Sequence, residues 1–190
     1  MKLCTKFIFP LLVFLVIGVI DGFSQSKYQL ESGSHFKIEG GSTLHDWKME
    51  TSTAKGEGVF IVESGQFKSA QSLVIQFQAE TLKSGTKGLD NNAYKALKTD
   101  KHKEIKFVLK ELTGSGISFT ANGDLSLAGV IRPVSFPVKL SCVGDKFTFE
   151  GALDTKLTNF SITPPTALMG TVKTDDEVKL SFKTTFQPIH

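Results

Sequence analysis

The chain has 190 residues, 40% of them hydrophobic, with 22 basic against 19 acidic side chains and a net charge of +3. That length suits one domain with a sizeable core, and the near balance of charge argues against a nucleic-acid binder, which needs a concentrated basic surface. Charged residues are 22% of a chain that holds 16 Phe against 2 Tyr and 1 Trp, a composition that excludes disorder and favours a greasy interior, because Phe fills apolar space without offering a hydrogen bond.

Lys2 and Lys6 precede an apolar run from Phe7 to Ile20, and Gly22-Phe23-Ser24 then supplies small residues where a signal peptidase reads. This layout predicts a secretory signal peptide over residues 1–24. The run is shorter than the ~20 residues that cross a bilayer as a helix. The predicted product is one domain over residues 25–190, periplasmic or secreted. Cleavage removes Cys4 and leaves Cys142, so no internal disulfide is expected. Cys142 continues the apolar pattern of its segment and reads as a buried thiol.

From His35 onward, period two dominates. Leu73, Ile75, Phe77 and Ala79 alternate with Val74, Gln76 and Gln78. Ile105, Phe107 and Leu109 alternate with Lys106, Val108 and Lys110, and Val134, Phe136, Val138 and Leu140 with Ser135, Pro137, Lys139 and Ser141. Near the end, Val178, Leu180 and Phe182 alternate with Lys179, Ser181 and Lys183. Each run makes one apolar and one wet face, which points to antiparallel pairing. Turn chemistry separates the runs at Glu63-Ser64-Gly65, Gly114-Ser115-Gly116, Asn122-Gly123-Asp124 and Gly144-Asp145, with Asn-Gly the strongest hairpin signal among them. The reading is all-β, with about eight strands in an antiparallel barrel or sandwich.

One stretch departs from that pattern. Leu89, Ala93, Ala96 and Leu97 recur at helical spacing, with Asp90 or Asn91 available as a cap and Lys95 and Lys98 near the end. One short helix inserted among the strands is predicted here. Pro164-Pro165 then marks a loop before the final strand.

Catalytic chemistry is hard to assemble. None of His35, His45, His102 and His190 pairs with another at metal-ligand spacing, and one unpaired cysteine makes no thiolate site, so neither a metal nor a cofactor is expected. His45-Asp46 suggests a dyad, but neighbours on a strand point to opposite faces. An exported hydrolase built on His45 with Asp46 or Glu57 therefore ranks lowest, and no catalytic residue is assigned. Lys98, Lys101, His102, Lys103 and Lys106 are interleaved with Asp100 and Glu104 and read as a solvated connection. The sharper reading is a lip that draws an anionic head group to a lumen entrance.

The stretch Gly123-Asp124-Leu125-Ser126-Leu127-Ala128-Gly129-Val130-Ile131-Arg132-Pro133-Val134-Ser135-Phe136-Pro137-Val138 resembles the signature of the YceI-like family of exported, lipocalin-like bacterial proteins that bind polyisoprenoids and related lipids. Leu89 to Lys98, followed by His102 and Ile105-Lys106-Phe107, is similar to the family's helix and the strand after it, with Lys103 where proline is usual. Ser42-Thr43-Leu44-His45-Asp46-Trp47 and Gly170-Thr171-Val172 also look familial, and together these cover most of residues 27 to 186.

The resemblance implies an eight-stranded antiparallel lipocalin-like barrel with one short inserted helix, whose lumen takes an isoprenoid tail. It brings no shared catalytic constellation. On that basis the expected ligand-binding residues are Phe36, Ile38, Ile75, Phe77, Phe107, Phe119, Leu127, Phe136, Val138, Phe149, Leu180 and Phe182, with Trp47 and Tyr94 near the mouth. The expected partner is a long-chain isoprenoid or another apolar lipid, held for carriage or sequestration. Transient membrane contact and a homodimer stay open. The alternative is a structural or adhesive β module with a filled core.

Overall fold

The computed structural model describes residues 24–189. The leader expected at 1–24, with Cys4, lies outside the described residues except for Ser24, and so does His190. Eleven strands and one helix follow in the order β1 (Ser24–Leu30), β2 (His35–Ser42), β3 (Trp47–Thr51), β4 (Lys55–Glu63), β5 (Gln66–Gln78), α1 (Lys87–Leu97), β6 (Glu104–Ser115), β7 (Ser118–Leu127), β8 (Val130–Val143), β9 (Lys146–Lys156), β10 (Thr166–Ala167) and β11 (Val172–Pro188).

Eight of these strands close into a barrel, in the order β1-β4-β5-β6-β7-β8-β9-β11 and back to β1, with every pairing antiparallel. Closure leaves no long unpaired edge on this ring. β11 is long enough to seat two strands in succession along one edge. Leu30 pairs with Phe186 at its far end, and Phe36 of β2 pairs with Phe182 further back. β3 adds to β2, and paired main-chain hydrogen bonds between Glu50 and Lys83 (2.9 Å each) stitch it to the segment that leads into α1.

The alternation read from the sequence maps onto this wall. In β7, Phe119, Ala121, Gly123, Leu125 and Leu127 are buried and the residues between them half-buried. Asn122-Gly123-Asp124 is not a hairpin, however; it lies in the middle of β7. Gly123 is needed there for space, since a Cβ would come 2.6 Å from the Phe107 ring on the neighbouring strand. The hairpin is made instead at Ala128 (φ 51°) and Gly129 (φ 81°), two left-handed residues of the kind a tight two-residue connection requires.

Cys142 also differs from expectation. It has the inward parity of β8 but is exposed, because the strand runs on past the last buried residue, Leu140. Native protein should therefore be labelled by a maleimide without denaturant.

Helix α1 starts three residues before Asp90, with Thr86 at its N-cap and no side-chain cap bond. The Asp90 carboxylate accepts hydrogen bonds from the Ser84 main-chain N–H (2.8 Å) and hydroxyl (2.6 Å), latching the helix to the preceding loop. Burial pushes the Asp90 pKa up, but the two Ser84 bonds and nearby Lys83 outweigh this and leave it below its ordinary 3.8. A carboxylate depressed on folding stabilises the fold above its unfolded pKa, and that contribution is lost as pH falls through the folded value. Asp90→Asn should therefore remove part of the loss of stability seen below about pH 4, read as a flatter dependence of Tm on pH in that range.

Candidate functional site

The two ends of the barrel are built differently. At one end Tyr28, Phe60, Phe67, Phe119, Phe147 and Phe186 interlock as a plug. Tyr28 stacks on Phe60 with centroids 4.8 Å apart, Phe67 meets Phe119 edge-on at 5.5 Å, and Phe60 meets Phe186 edge-on at 5.5 Å. Phe60, Phe147 and Phe186 have no exposed surface. Such edge-to-face pairs add about 0.5–1.5 kcal/mol each beyond area burial.

Towards the other end the rings part. A cavity of ≈ 1080 Å³ opens between the plug and α1. Its floor is formed by Phe60 and Phe149, whose rings meet edge-on at 5.8 Å. Its walls carry the aromatic pairs Phe36–Phe77 (5.2 Å), Phe107–Phe136 (5.4 Å) and Phe136–Phe182 (5.6 Å). These residues face inward because each occupies the apolar parity of its strand. The Phe-rich sequence thus divides between a solid plug and a hollow.

All the residues expected at the lumen line this cavity except Phe119 and Tyr94. Phe119 sits in the plug beside Phe67. Tyr94 faces the rim of the barrel as a strut. Its hydroxyl lies 2.7 Å from the Leu82 carbonyl and accepts from Lys83 Nζ at 2.7 Å. Trp47 does line the cavity, and its indole N–H donates to the Gly41 carbonyl at 3.0 Å, leaving the ring to the apolar space. Gly40 permits this, because a Cβ there would lie 2.5 Å from the indole.

The sequence reading missed the mouth. Leu89, Ala93 and Ala96 of α1 line the cavity entrance, as do Leu44 between β2 and β3 and Met169 between β10 and β11. The helical spacing of the first three was visible, but spacing alone does not say whether an apolar helix face meets a core or an opening.

The chemistry of the cavity is that of a hydrocarbon. Thr184, a polar residue deep in the wall, already donates to the Phe149 carbonyl at 3.3 Å. Among the described residues, no buried side-chain nitrogen or oxygen lacks a partner, so a ligand needs no polar group at depth. Polar side chains gather at the entrance, where Asn91, Asn92 and Lys95 project from α1 and His45 from the β2–β3 loop.

His45 Nδ1 donates to the main-chain carbonyl of Asp46 at 2.8 Å, not to its carboxylate, and Glu57 lies exposed on β4 outside the cavity lining. The three groups of the suggested hydrolase therefore do not converge. No cluster of three or more His, Cys, Asp or Glu able to hold a metal occurs among the described residues.

The sequence profile of the YceI-like domain matches residues 27–186. Several solved structures are similar, three of which follow. One is a polyisoprenoid-binding domain from Saccharophagus degradans implicated in plant cell wall breakdown (TM-score 0.66, 9% identity, covering 85% of this chain and 98% of that one). Another is BcnA of Burkholderia cenocepacia (0.64, 18%, 79% and 95%). The third is the YceI protein of Campylobacter jejuni (0.55, 16%, 71% and 81%). No curated protein matches the chain significantly.

Proposed function

Because the chain belongs to the YceI-like domain family, we propose that it is an exported carrier that holds a long apolar chain, an isoprenoid or a lipid of similar bulk, in the barrel cavity. The observation that supports this most is the deep hollow itself, ≈ 1080 Å³ and lined mostly by apolar side chains. Sites for small ligands run to about 300–1,000 Å³, so this one has the capacity of a lipid chain. At the ~30 Å³ that a water-sized group takes up in a liquid, it holds on the order of 35 carbon-sized groups.

Each buried methylene contributes ~0.8 kcal/mol, so one isoprene unit contributes roughly 3 kcal/mol before the cost of ordering the chain. A few units suffice for tight binding without a polar contact. The similar Saccharophagus degradans domain is itself described as polyisoprenoid-binding, which adds to the case for an isoprenoid. Holding, not catalysis, is the role this cavity suits.

The leader expected at 1–24 would put the carrier in the periplasm or outside the cell. Loading and release would involve transient membrane contact.

Expression in bacteria followed by native mass spectrometry should show the protein with a co-purified lipid, released on denaturation and identified in the organic extract. A bare protein mass, together with no uptake of a fluorescent polyprenyl probe, would overturn the reading and favour a structural module.

A further inference from the structure

The entrance of the cavity is bordered by two unlike features. On one side two apolar residues stand in solvent, Leu44 at 63% exposure and Met169 fully exposed, and both also belong to the cavity lining. Buried apolar side chains would explain a core, but apolar side chains that leave the cavity and continue into water call for a covering surface. Met169 sits at φ 57° next to Gly170 at φ 87°, a tight turn that holds its side chain at the tip of the loop between β10 and β11.

On the other side lies α1. Its residues Gly88, Asn92 and Ala96, spaced four apart, line the entrance. The adjoining stripe, reached by the same helical spacing, is Lys87, Asn91 and Lys95, all exposed, and exposed Lys98 follows as the left-handed C-cap of the helix (φ 55°), its Nζ 3.5 Å from the Ser161 carbonyl. Residues four apart share one face of a helix, so Lys87 and Lys95 lie in one row beside the opening, and Lys98 extends the positive edge at the end of the helix. Asp90, the acid of this helix, is turned away into its bonds with Ser84 and does not cancel them. Exposed Asp100 follows Lys98 by two residues, and on the opposite side Asp46 and Asp175 stand beside Gly41, while Glu177 there is paired with Lys156 at 2.9 Å.

From this arrangement we propose that the entrance docks on the surface of an anionic lipid bilayer. The Lys87, Lys95 and Lys98 edge meets the head groups, and Leu44 and Met169 enter the interface. The proposal rests on the lipid-holding reading and adds the face through which the chain is exchanged. The lysines attract an anionic leaflet, so the helix edge touches first and the apolar tips follow. Docked this way, the apolar tips bring the cavity wall into continuity with the acyl layer, and a chain can pass without crossing water.

Sedimentation with vesicles tests it. The protein should bind phosphatidylglycerol vesicles roughly 100-fold more tightly than phosphatidylcholine vesicles at low salt, given the attraction of three lysines to an anionic surface. The preference should fade as the Debye length shortens with salt. Lys87→Gln with Lys98→Gln should weaken binding to the anionic vesicles about 20-fold while uptake of a detergent-solubilised polyprenyl probe is unchanged. Met169→Ser should weaken the binding that remains at high salt.

Equal binding to both vesicle types, no binding to either, or indifference to the lysine changes would overturn the docking surface. So would dimerisation in solution that buries Leu44 and Met169. The probe assay needs no vesicle, so it reports failure of lipid holding separately from failure of docking.

Discussion

Ala121→Phe is expected to abolish uptake of long chains and to leave short ones bound. Ala121 is buried in β7, opposite Phe136, in the deep half of the cavity. A phenyl ring there takes the room of more than one isoprene unit next to the Phe60–Phe149 floor. A chain that reaches the floor would lose the burial of about five methylenes, worth roughly 4 kcal/mol, or close to a thousandfold in affinity. A chain of two or three units, held in the outer half, loses nothing of this. Overpacking the wall costs the protein about 1–3 kcal/mol, which the plug end should tolerate. The check is a series of polyprenyl probes of increasing length, titrated into wild type and variant. Equal loss for all lengths would mean that the chain does not run inward to the floor.

Phe147→Ala and Phe36→Ala should have opposite consequences, although both remove a phenyl ring from an inward position. Phe147 has no exposed surface and lies against Tyr28, Phe60 and Phe67 in the plug. Its loss should cost about 3–5 kcal/mol of stability, the range for an aromatic ring deleted from a filled core. Phe36 touches Phe77 but turns the rest of its ring to the cavity. Fewer contacts are lost there, so the cost should be no more than about 1–2 kcal/mol. Chain affinity should fall for Phe36→Ala, which removes a piece of the wall, and hold for Phe147→Ala at temperatures where it is folded. Denaturant melts and probe titrations on the same two variants read both quantities. Equal destabilisation by the two changes would mean that the barrel is filled along its whole length.

That division of the Phe residues marks the limit of what the sequence alone conveys. Alternation places Phe36, Phe77, Phe107, Phe136 and Phe182 on inward faces, and it does the same for Phe119, Phe147 and Phe186. Which set meets in the plug and which stands apart depends on where each strand sits along the barrel axis, a matter of register between strands remote in the chain. β1 went unread because Ser-Gln-Ser-Lys-Tyr-Gln-Leu is mostly polar, and its place is fixed by pairing with β4 and β11. Asn122-Gly123 carries a true turn signal, overridden because the Phe107 ring needs the space that only glycine leaves. Cys142 kept its parity but not its burial, since parity says nothing about where a strand outruns its core. The antiparallel all-β build and the inserted helix were legible in the period of two, the helical spacing and the turns between runs, whereas those signals fitted a barrel and a sandwich equally and the family resemblance alone implied the closed ring.

Trp47 offers the most direct test of the hollow. It is the one tryptophan of the chain and stands on the cavity wall, so a brominated chain that enters must pass within quenching range of the indole. Titrating a brominated long-chain lipid into the purified protein, stripped of any bound lipid, should quench its fluorescence and saturate at one chain per molecule. Emission that stays constant well above the protein concentration would contradict the account.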